Sequence, residues 1–518
     1  MKNKKIVALL LASSMSLTVL AGCSNANTQS DVKNEEKSTE QTEVSKSDSA
    51  NVAESNETKE LEPVTLRIFM ADKATPDDEK VEEYINNLPQ VQKLNVTIDI
   101  VKQAGGSAEH NEKVPLLLAT DEQMDIGFDN SANYAMRVSQ GAYYDISEFL
   151  KNDPEFYEAL PESLWKGSSY EGGIYGVPTC KEIAVQYAMY VDQEILDKYN
   201  IKADDITDYE DLEIVLDALQ QEGDRSTIMA AAANWTNWFR AATFDDYDPF
   251  NGTYYANIDK DGKTLINPYE TEEFAEFIQT MYEWNQKGYI GADTLTRSTA
   301  DEEVKGGKKF GMTVTSYSPY AEIGTQTTYG VDKIAVLKVA GAPVVNSTSA
   351  RGSVFGVYAK SKNPERAYEF LKLWNTDPEV KNAIYYGIPE VHYNLVDGKA
   401  EVVENKNELY YQSNWRTGNM LISYLAVGEP DDKWEVYDDF NASSREAADL
   451  GMLPNTDDVA DEIATIGSVL TEYMPALVFG FVDPETGIAQ LNEQLKAAGI
   501  DEVLAELQVQ YDAFCASK

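Results

Sequence analysis

The sequence predicts an α/β protein built as two lobes, and two observations carry that reading. From Pro63 onward strand-like and helix-like segments alternate, the pattern of an open, largely parallel sheet with helices packed against it. The chain also has 518 residues, 43% of them hydrophobic and 10% aromatic. That is enough apolar content for real cores, yet it exceeds the roughly 250 to 300 residues at which a single core stops growing.

The N-terminus reads differently. Met1, Lys2, Asn3, Lys4 and Lys5 precede Ile6–Leu20, an apolar stretch broken only by Ser and Thr. This is the layout of a secretory signal with a basic start, and it is too short to span a bilayer comfortably. The stretch closes on Leu20, Ala21, Gly22 and Cys23, which resembles the lipobox of bacterial lipoproteins. That resemblance implies cleavage after residue 22 and a diacylglycerol on the Cys23 sulfur, with palmitate among its acyl chains. Residues 24–62 hold no aromatic, ten acids and four lysines, a composition that cannot bury enough apolar surface to fold. Residues 23–62 are therefore expected to be an acidic, disordered, lipid-anchored linker, and the lipid the only membrane anchor.

The folded part opens with Val64–Met70 as a strand, 77–87 as a helix, Val96, Ile98 and Ile100 alternating as a second strand, 112–119 as a helix and 124–128 as a third strand. Ligands in such sheets sit beyond the carboxyl ends of the strands, so the loops after Met70, Val101 and Phe128 are candidate cleft walls. Farther on, Thr271 caps a helix whose Phe274, Phe277, Ile278, Met281 and Trp284 share one face. Asn363 is read as a cap and Pro364 as a first helical residue, with Ala367, Phe370, Leu371 and Trp374 inward. Both tryptophans read as core. Strands are expected at 311–315, 334–339 and 354–359, and a last helix over 501–514. Asn257–Gly262 partly matches a calcium loop, but Pro268 stands where a bidentate Glu is needed, so a hairpin turn is the better reading. Cys180 and Cys515 read as unpaired structural thiols, although spacing alone does not exclude a disulfide.

Charge narrows the function. There are 88 Asp and Glu against 43 Lys and Arg, a formal charge of −45, and only two histidines, His110 and His392. Phosphate backbones would repel such a chain, so nucleic acid is excluded as a partner. The scarcity of histidine argues against hydrolase triads and zinc sites. No Walker-type phosphate loop is present. No catalytic residue, metal or cofactor is assigned.

Several segments then keep a recognisable order: Tyr175-Gly-Val-Pro-Thr-Cys-Lys-Glu182, Tyr190-Val-Asp192, Asn267-Pro-Tyr-Glu-Thr271, Ser361-Lys-Asn-Pro-Glu-Arg-Ala367, Leu373-Trp-Asn-Thr-Asp377, Asn414-Trp-Arg416, Gly428-Glu-Pro-Asp-Asp-Lys-Trp434 and Gly480-Phe-Val-Asp-Pro484. Together they resemble the extracellular solute-binding lipoproteins (family 1 type) that serve bacterial ABC importers of oligosaccharides. The last three resemble the branch labelled lipoproteins of uncertain sugar specificity, including its C-terminal domain. The resemblance covers nearly all of residues 63–518; Cys180 departs from the small polar residue expected there. It implies a periplasmic-binding-protein-like fold, a ligand cleft between two α/β lobes joined by crossing hinge segments. Residues 1–22 are then the signal, 63–182 with 350–388 the first lobe, and 183–349 with 389–518 the second.

A sugar presents a rim of hydroxyls and an apolar ring face, so its site needs flat aromatics among amides, carboxylates or arginine. Asn234-Trp-Thr-Asn-Trp-Phe239 supplies Trp235 and Trp238, though the same residues suit a helix start that buries both rings. Asn414, Trp415 and Arg416 set an aromatic beside a guanidinium fork and an amide. Tyr317 follows a strand; Lys181 and Glu182 sit at the first crossing as ligand contacts or a hinge ion pair. Asp129, Asn130 and Tyr134 follow the third strand, Arg351 precedes another crossing, and His392 is a neutral donor candidate. The expected protein is a monomeric, non-enzymatic receptor at the extracellular face of the bacterial cell membrane. Its expected partners are an oligosaccharide or other small-molecule ligand and the permease subunits of an ABC importer. A surface-tethered glycosidase and a peptide-binding receptor are the alternatives.

Overall fold

The computed structural model describes residues 61–243, 247–338 and 341–518. The signal, Cys23 and all but the end of the linker lie outside the described residues. From Glu60 to Lys518 the chain is one compact unit. Among the described residues no helix is long and apolar enough to cross a membrane.

The strands that position the site are β1 (Val64–Lys73), β2 (Val96–Gln103), β3 (Ile126–Asp129), β4 (Val177–Pro178), β5 (Tyr187–Asp192), β6 (Met312–Ser316), β7 (Ile334–Leu337), β8 (Val344–Val345), β9 (Val354–Val357) and β10 (Arg445–Glu446). In the first lobe the order is β2-β1-β3-β9-β4. Central β1 pairs in parallel with β2 and β3, Ile68 facing both Ile100 and Ile126. Its Ile68, Phe69, Met70 and Ala71 are all buried, as expected of a strand covered on both faces. β9 runs antiparallel to both β3 and β4, so the sheet is mixed rather than largely parallel. The chain enters β9 from the other lobe, not through a helical crossover on the sheet, and nothing forces a parallel pairing there. Gly127 and Gly356 face each other across β3 and β9. A Cβ on Gly127 would stand 2.0 Å from the Tyr358 hydroxyl, and one on Gly356 2.4 Å from the Tyr143 ring. Glycine at both positions lets those two rings stack on the sheet, 5.2 Å apart.

The second lobe centres on the antiparallel sheet β6-β5-β7 and on helices α1 (Glu272–Gln286), α3 (Ala460–Val478), α4 (Pro484–Ala497) and α5 (Ile500–Ser517). Its core is separate from that of the first lobe, which includes α2 (Pro364–Thr376). Thr271 caps α1, accepting from the Phe274 amide at 3.2 Å, and the expected face of α1 is buried through Trp284. On α2 the face through Trp374 is also buried, but the Asn363 side chain makes no capping bond. The helix expected from residue 112 begins earlier, at Ser107, just after Gly106 at a φ of 63°. Residues 257–266 form the hairpin, with the Asp261 carboxylate accepting from the Lys263 and Thr264 amides at 2.7 and 2.9 Å. Cys180 is buried and Cys515 exposed, and neither is in a disulfide; burial pushes the Cys180 thiol up to about 12.

Three segments cross between the lobes side by side. Val185 exchanges backbone hydrogen bonds with Val344 at 2.8 and 2.9 Å, and β8 pairs in parallel with β10. The third crossing differs from the boundary set at residue 388. Beyond it the chain stays on the first lobe: the Asp77 amide donates to the Leu409 carbonyl at 2.9 Å, the Met420 amide to the Cys180 carbonyl at 2.8 Å, and the Ser413 hydroxyl to Asp72 at 2.6 Å. Only at β10 does it return, leading to the helices that complete the second core. Long-range hydrogen bonds to β1, to the segment after it and to Cys180 hold this stretch on the first lobe, and no local spacing announces them.

Candidate functional site

A cavity of about 310 Å³ lies where the lobes meet. Lys181 and Glu182 line it from the first crossing, Ser316 and Tyr317 from the end of β6, and Ser349 and Trp415 from the other side. Four residues singled out in the sequence, Lys181, Glu182, Tyr317 and Trp415, therefore come together here. Each aromatic is held by a cation. The Arg416 guanidinium lies 4.1 Å from the Trp415 ring centroid, and the Lys338 ammonium lies 4.0 Å from that of Tyr317. Trp415 also meets Phe128 edge-on at 6.2 Å, which places it beyond the carboxyl end of β3, where open α/β sheets bind ligands. It remains 37% exposed, so a ring face can be met without unfolding anything.

Arg416 positions rather than contacts. It donates to the Ala71 carbonyl at 3.0 Å and the Ser107 hydroxyl at 2.7 Å, near Asp72 at 3.4 Å. Burial holds its guanidinium below the usual range. Lys181 and Glu182 pair with each other at 2.9 Å, the hinge ion pair of the two readings left open, while both still face the cavity. Asn414 lies one residue from Trp415 and lines an adjoining cavity instead.

The other expected contacts are placed elsewhere. Trp238 is fully buried and Trp235 is 8% exposed, within the second-lobe core. Trp235 packs on Phe239 and Tyr254, so this loop is the helix start that buries its rings. Asp129 is buried, ion-paired with Arg137 and accepting from the Tyr143 hydroxyl, and burial raises its carboxyl. Tyr134 is buried and donates to the Ser168 carbonyl at 2.8 Å. Asn130 precedes the helix Ser131–Ser139, half-buried and without a capping bond. Arg351 is buried at the second crossing, donating to the Asn251 side chain at 2.5 Å, and desolvation lowers it to about 10. His392 is fully buried: its Nδ1 accepts from the Ile388 amide at 2.9 Å, so its Nε2 donates to Asp77 at 3.2 Å. Burial also lowers its pKa. These polar groups are engaged by partners within the fold. Ser316 and Ser349 were not singled out from the sequence, since lone serines carry no spacing signal.

A larger depression of about 970 Å³ on the second lobe surrounds Arg225. Arg225 at its centre is already paired with Asp192 and Glu194, and the depression lies away from the crossings. The interlobe cavity, with an exposed indole and a tyrosine facing it from different lobes, defines a two-lobed binding protein.

Comparison with known proteins agrees. Residues 90–394 match the family described as bacterial extracellular solute-binding protein, and residues 449–516 match a domain of unknown function, DUF3502. The chain belongs to the bacterial extracellular solute-binding proteins. The DUF3502 match covers the part of the chain that follows the third crossing. A carbohydrate ABC transporter substrate-binding protein of Streptococcus pneumoniae is 28% identical over 472 residues, covering 88% of this chain and 92% of that protein. Lipoprotein LipO of Bacillus subtilis is 20% identical over 434 residues, covering 78% and 85%. Among solved structures, the N-glycan transport solute binding protein NgtS of Streptococcus pneumoniae is 26% identical, with a TM-score of 0.74, covering 88% of this chain and 99% of that one. Its complex with Man5GlcNAc gives a TM-score of 0.61 at the same identity and coverage.

Proposed function

We propose that this protein is a lipid-anchored, extracellular receptor that captures an oligosaccharide between its lobes and presents it to the permease of an ABC importer. The interlobe cavity carries the reading: Trp415 offers a flat apolar face, and Tyr317, Lys181, Glu182 and Ser316 surround it with hydroxyls and charges. Closure is a hinge motion about the three crossings, and it is favoured to the extent that ligand binds the closed form better. The chain is less like the NgtS complex with Man5GlcNAc than like the other NgtS structure, with TM-scores of 0.61 against 0.74, which supports an arrangement of the lobes different from that of the complex. The site residues, the lobe boundaries, the monomeric state and the absence of catalysis belong to the same proposal.

The test is thermal stabilisation of the purified protein by a panel of oligosaccharides, beginning with the mannose–N-acetylglucosamine class named for NgtS, with short peptides alongside. A ligand at 100 times its Kd adds about 2.7 kcal/mol. The expected result is stabilisation with the sugar recovered intact. A cleaved sugar would establish a glycosidase, and a shift with peptides alone a peptide receptor. Trp415→Ala should weaken binding of the stabilising sugar roughly 5- to 150-fold, about 1 to 3 kcal/mol, by analogy with aromatic anchors. Because Trp415 is partly exposed, its unliganded melting temperature should stay near wild type; unchanged affinity would sink the site. Replacing Cys23 by serine should release the protein from the expressing bacterium's membrane into the medium, as judged by fractionation; continued membrane retention would refute the anchor.

A further inference from the structure

A second cavity of about 340 Å³ adjoins the first, and Trp415 lines both. Its wall is aromatic, with Tyr385, Tyr386, Tyr411 and Trp434 beside Trp415. Two lysines reach it, and they differ. Lys433 is neutralised by Glu429 at 2.5 Å. Lys406 is 6% exposed and makes no ion pair among the described residues; its ammonium donates to the Tyr385 carbonyl at 3.3 Å and stands 5.6 Å from the ring centroids of Tyr385 and Tyr410. An ammonium has three donors, so this one keeps unused hydrogen-bonding capacity. A buried charge without a counter-ion is costly. Gln412 adds to the imbalance, because its buried Oε1, on the same cavity wall, has no partner among the described residues. A ligand group that brings both a negative charge and a hydroxyl would satisfy the two together.

We propose that this cavity is a subsite for an acidic sugar at one end of the captured oligosaccharide, with its carboxylate received by Lys406, its hydroxyl by Gln412 and its ring against the aromatic wall. The inference rests on the saccharide-receptor reading above and names a substrate class for it. Trp415 lines both cavities, so a sugar chain stacked on that ring in the cleft has the second cavity as its neighbour. Electrostatics agree with the direction. Burial, with Lys102 nearby, lowers the Lys406 ammonium to about 8, and a carboxylate at the cavity would restore it. Asp72 pulls the same way as a ligand would, but it is already engaged by Ser413 and Arg416. The carboxylate is thereby selected within a chain whose formal charge of −45 would otherwise repel it.

The experiment is calorimetric titration of the wild-type protein with a matched pair, one oligosaccharide ending in a carboxylated sugar and its neutral counterpart, with sodium acetate and inorganic phosphate as free-anion controls. The acidic sugar should bind at least tenfold tighter than the neutral one. That preference should fade above pH 8, and the free anions should not reproduce it. Lys406→Gln should abolish the preference, weakening the acidic sugar at least tenfold more than the neutral one. Equal affinity for the pair, or a preference that survives both high pH and Lys406→Gln, overturns the subsite while the receptor reading stands. Binding by phosphate alone reassigns the cavity to a free anion and also overturns the subsite. If neither saccharide binds, both readings fall. The wild-type comparison and its pH dependence decide the matter even if the variant does not fold.

Discussion

Replacing Trp374 by alanine is expected to destabilise the protein by about 4 kcal/mol, within the range for deleting a buried aromatic ring, and to weaken ligand binding although Trp374 lines neither cavity at Trp415. The ring is 1% exposed and packs 4.5 Å from Phe355 of β9, while its indole N–H donates to the Thr417 carbonyl at 3.1 Å. Thr417 belongs to the loop that carries Trp415. The same loop is gripped by Lys381, which donates to the Thr417 hydroxyl at 2.7 Å, and by Asn375, whose side-chain oxygen accepts from the Asn419 amide at 2.8 Å. Trp374 therefore couples the first-lobe core to the one exposed indole of the cleft. Urea unfolding should show a lower midpoint at unchanged slope. Trp374→Phe, which keeps most of the ring volume and loses only the N–H, should lose less than half as much. A loss below about 1 kcal/mol in the alanine variant would mean that the loop is held without this ring.

The same residue shows what was legible. Helical period 3.6 places Ala367, Phe370, Leu371 and Trp374 on one face from spacing alone, and likewise Phe274 through Trp284; the buried faces of α1 and α2 follow. Strand alternation located β1, β2 and β3. It could not give the direction of β9, because pairing direction depends on where the chain arrives from. The aromatic–amide loops show the limit most clearly. Asn234–Phe239 and Asn414–Asn419 carry the same chemistry, yet one is core and the other faces a cavity. The difference lies in partners hundreds of residues away, with Arg416 reaching the Ala71 carbonyl and Ser107. Asp129, Arg351 and His392 looked available for a ligand for the same reason. Their partners Arg137, Asn251 and Asp77 become neighbours only on folding.

A second large effect is expected at the third crossing, where Asp449→Asn should stabilise the protein near neutral pH. Asp449 is fully buried. Its Oδ2 accepts from the Asn251 amide, its Oδ1 has no partner among the described residues, and its backbone carbonyl accepts from the Ser347 hydroxyl at 3.2 Å. Desolvation, reinforced by Asp248, raises its carboxyl from 3.8 to about 6, even though Arg351 and the Asn251 amide oppose the rise. The folded protein then holds a proton between about pH 4 and 6 that the unfolded chain has released, so this group's contribution to stability falls as pH rises through that window. Above about pH 6 the ionised carboxylate is buried at a disadvantage of about 3 kcal/mol. Asparagine keeps an acceptor for the Asn251 amide and carries no charge. The variant should match wild type below about pH 4 and exceed it by up to about 3 kcal/mol at pH 7. His110 titrates in the opposite sense, lowered to about 4 by burial, but it is common to both proteins and cancels in the difference. Unfolding curves at pH 4.5 and 7 decide the point, and a difference between the two proteins that does not change with pH would show that Asp449 stays protonated throughout. Because Asp449, Ser347 and Arg351 tie the second and third crossings together, the variant should also show whether the buried carboxylate eases hinge opening. Tighter crossings at neutral pH would slow ligand release more than they slow capture.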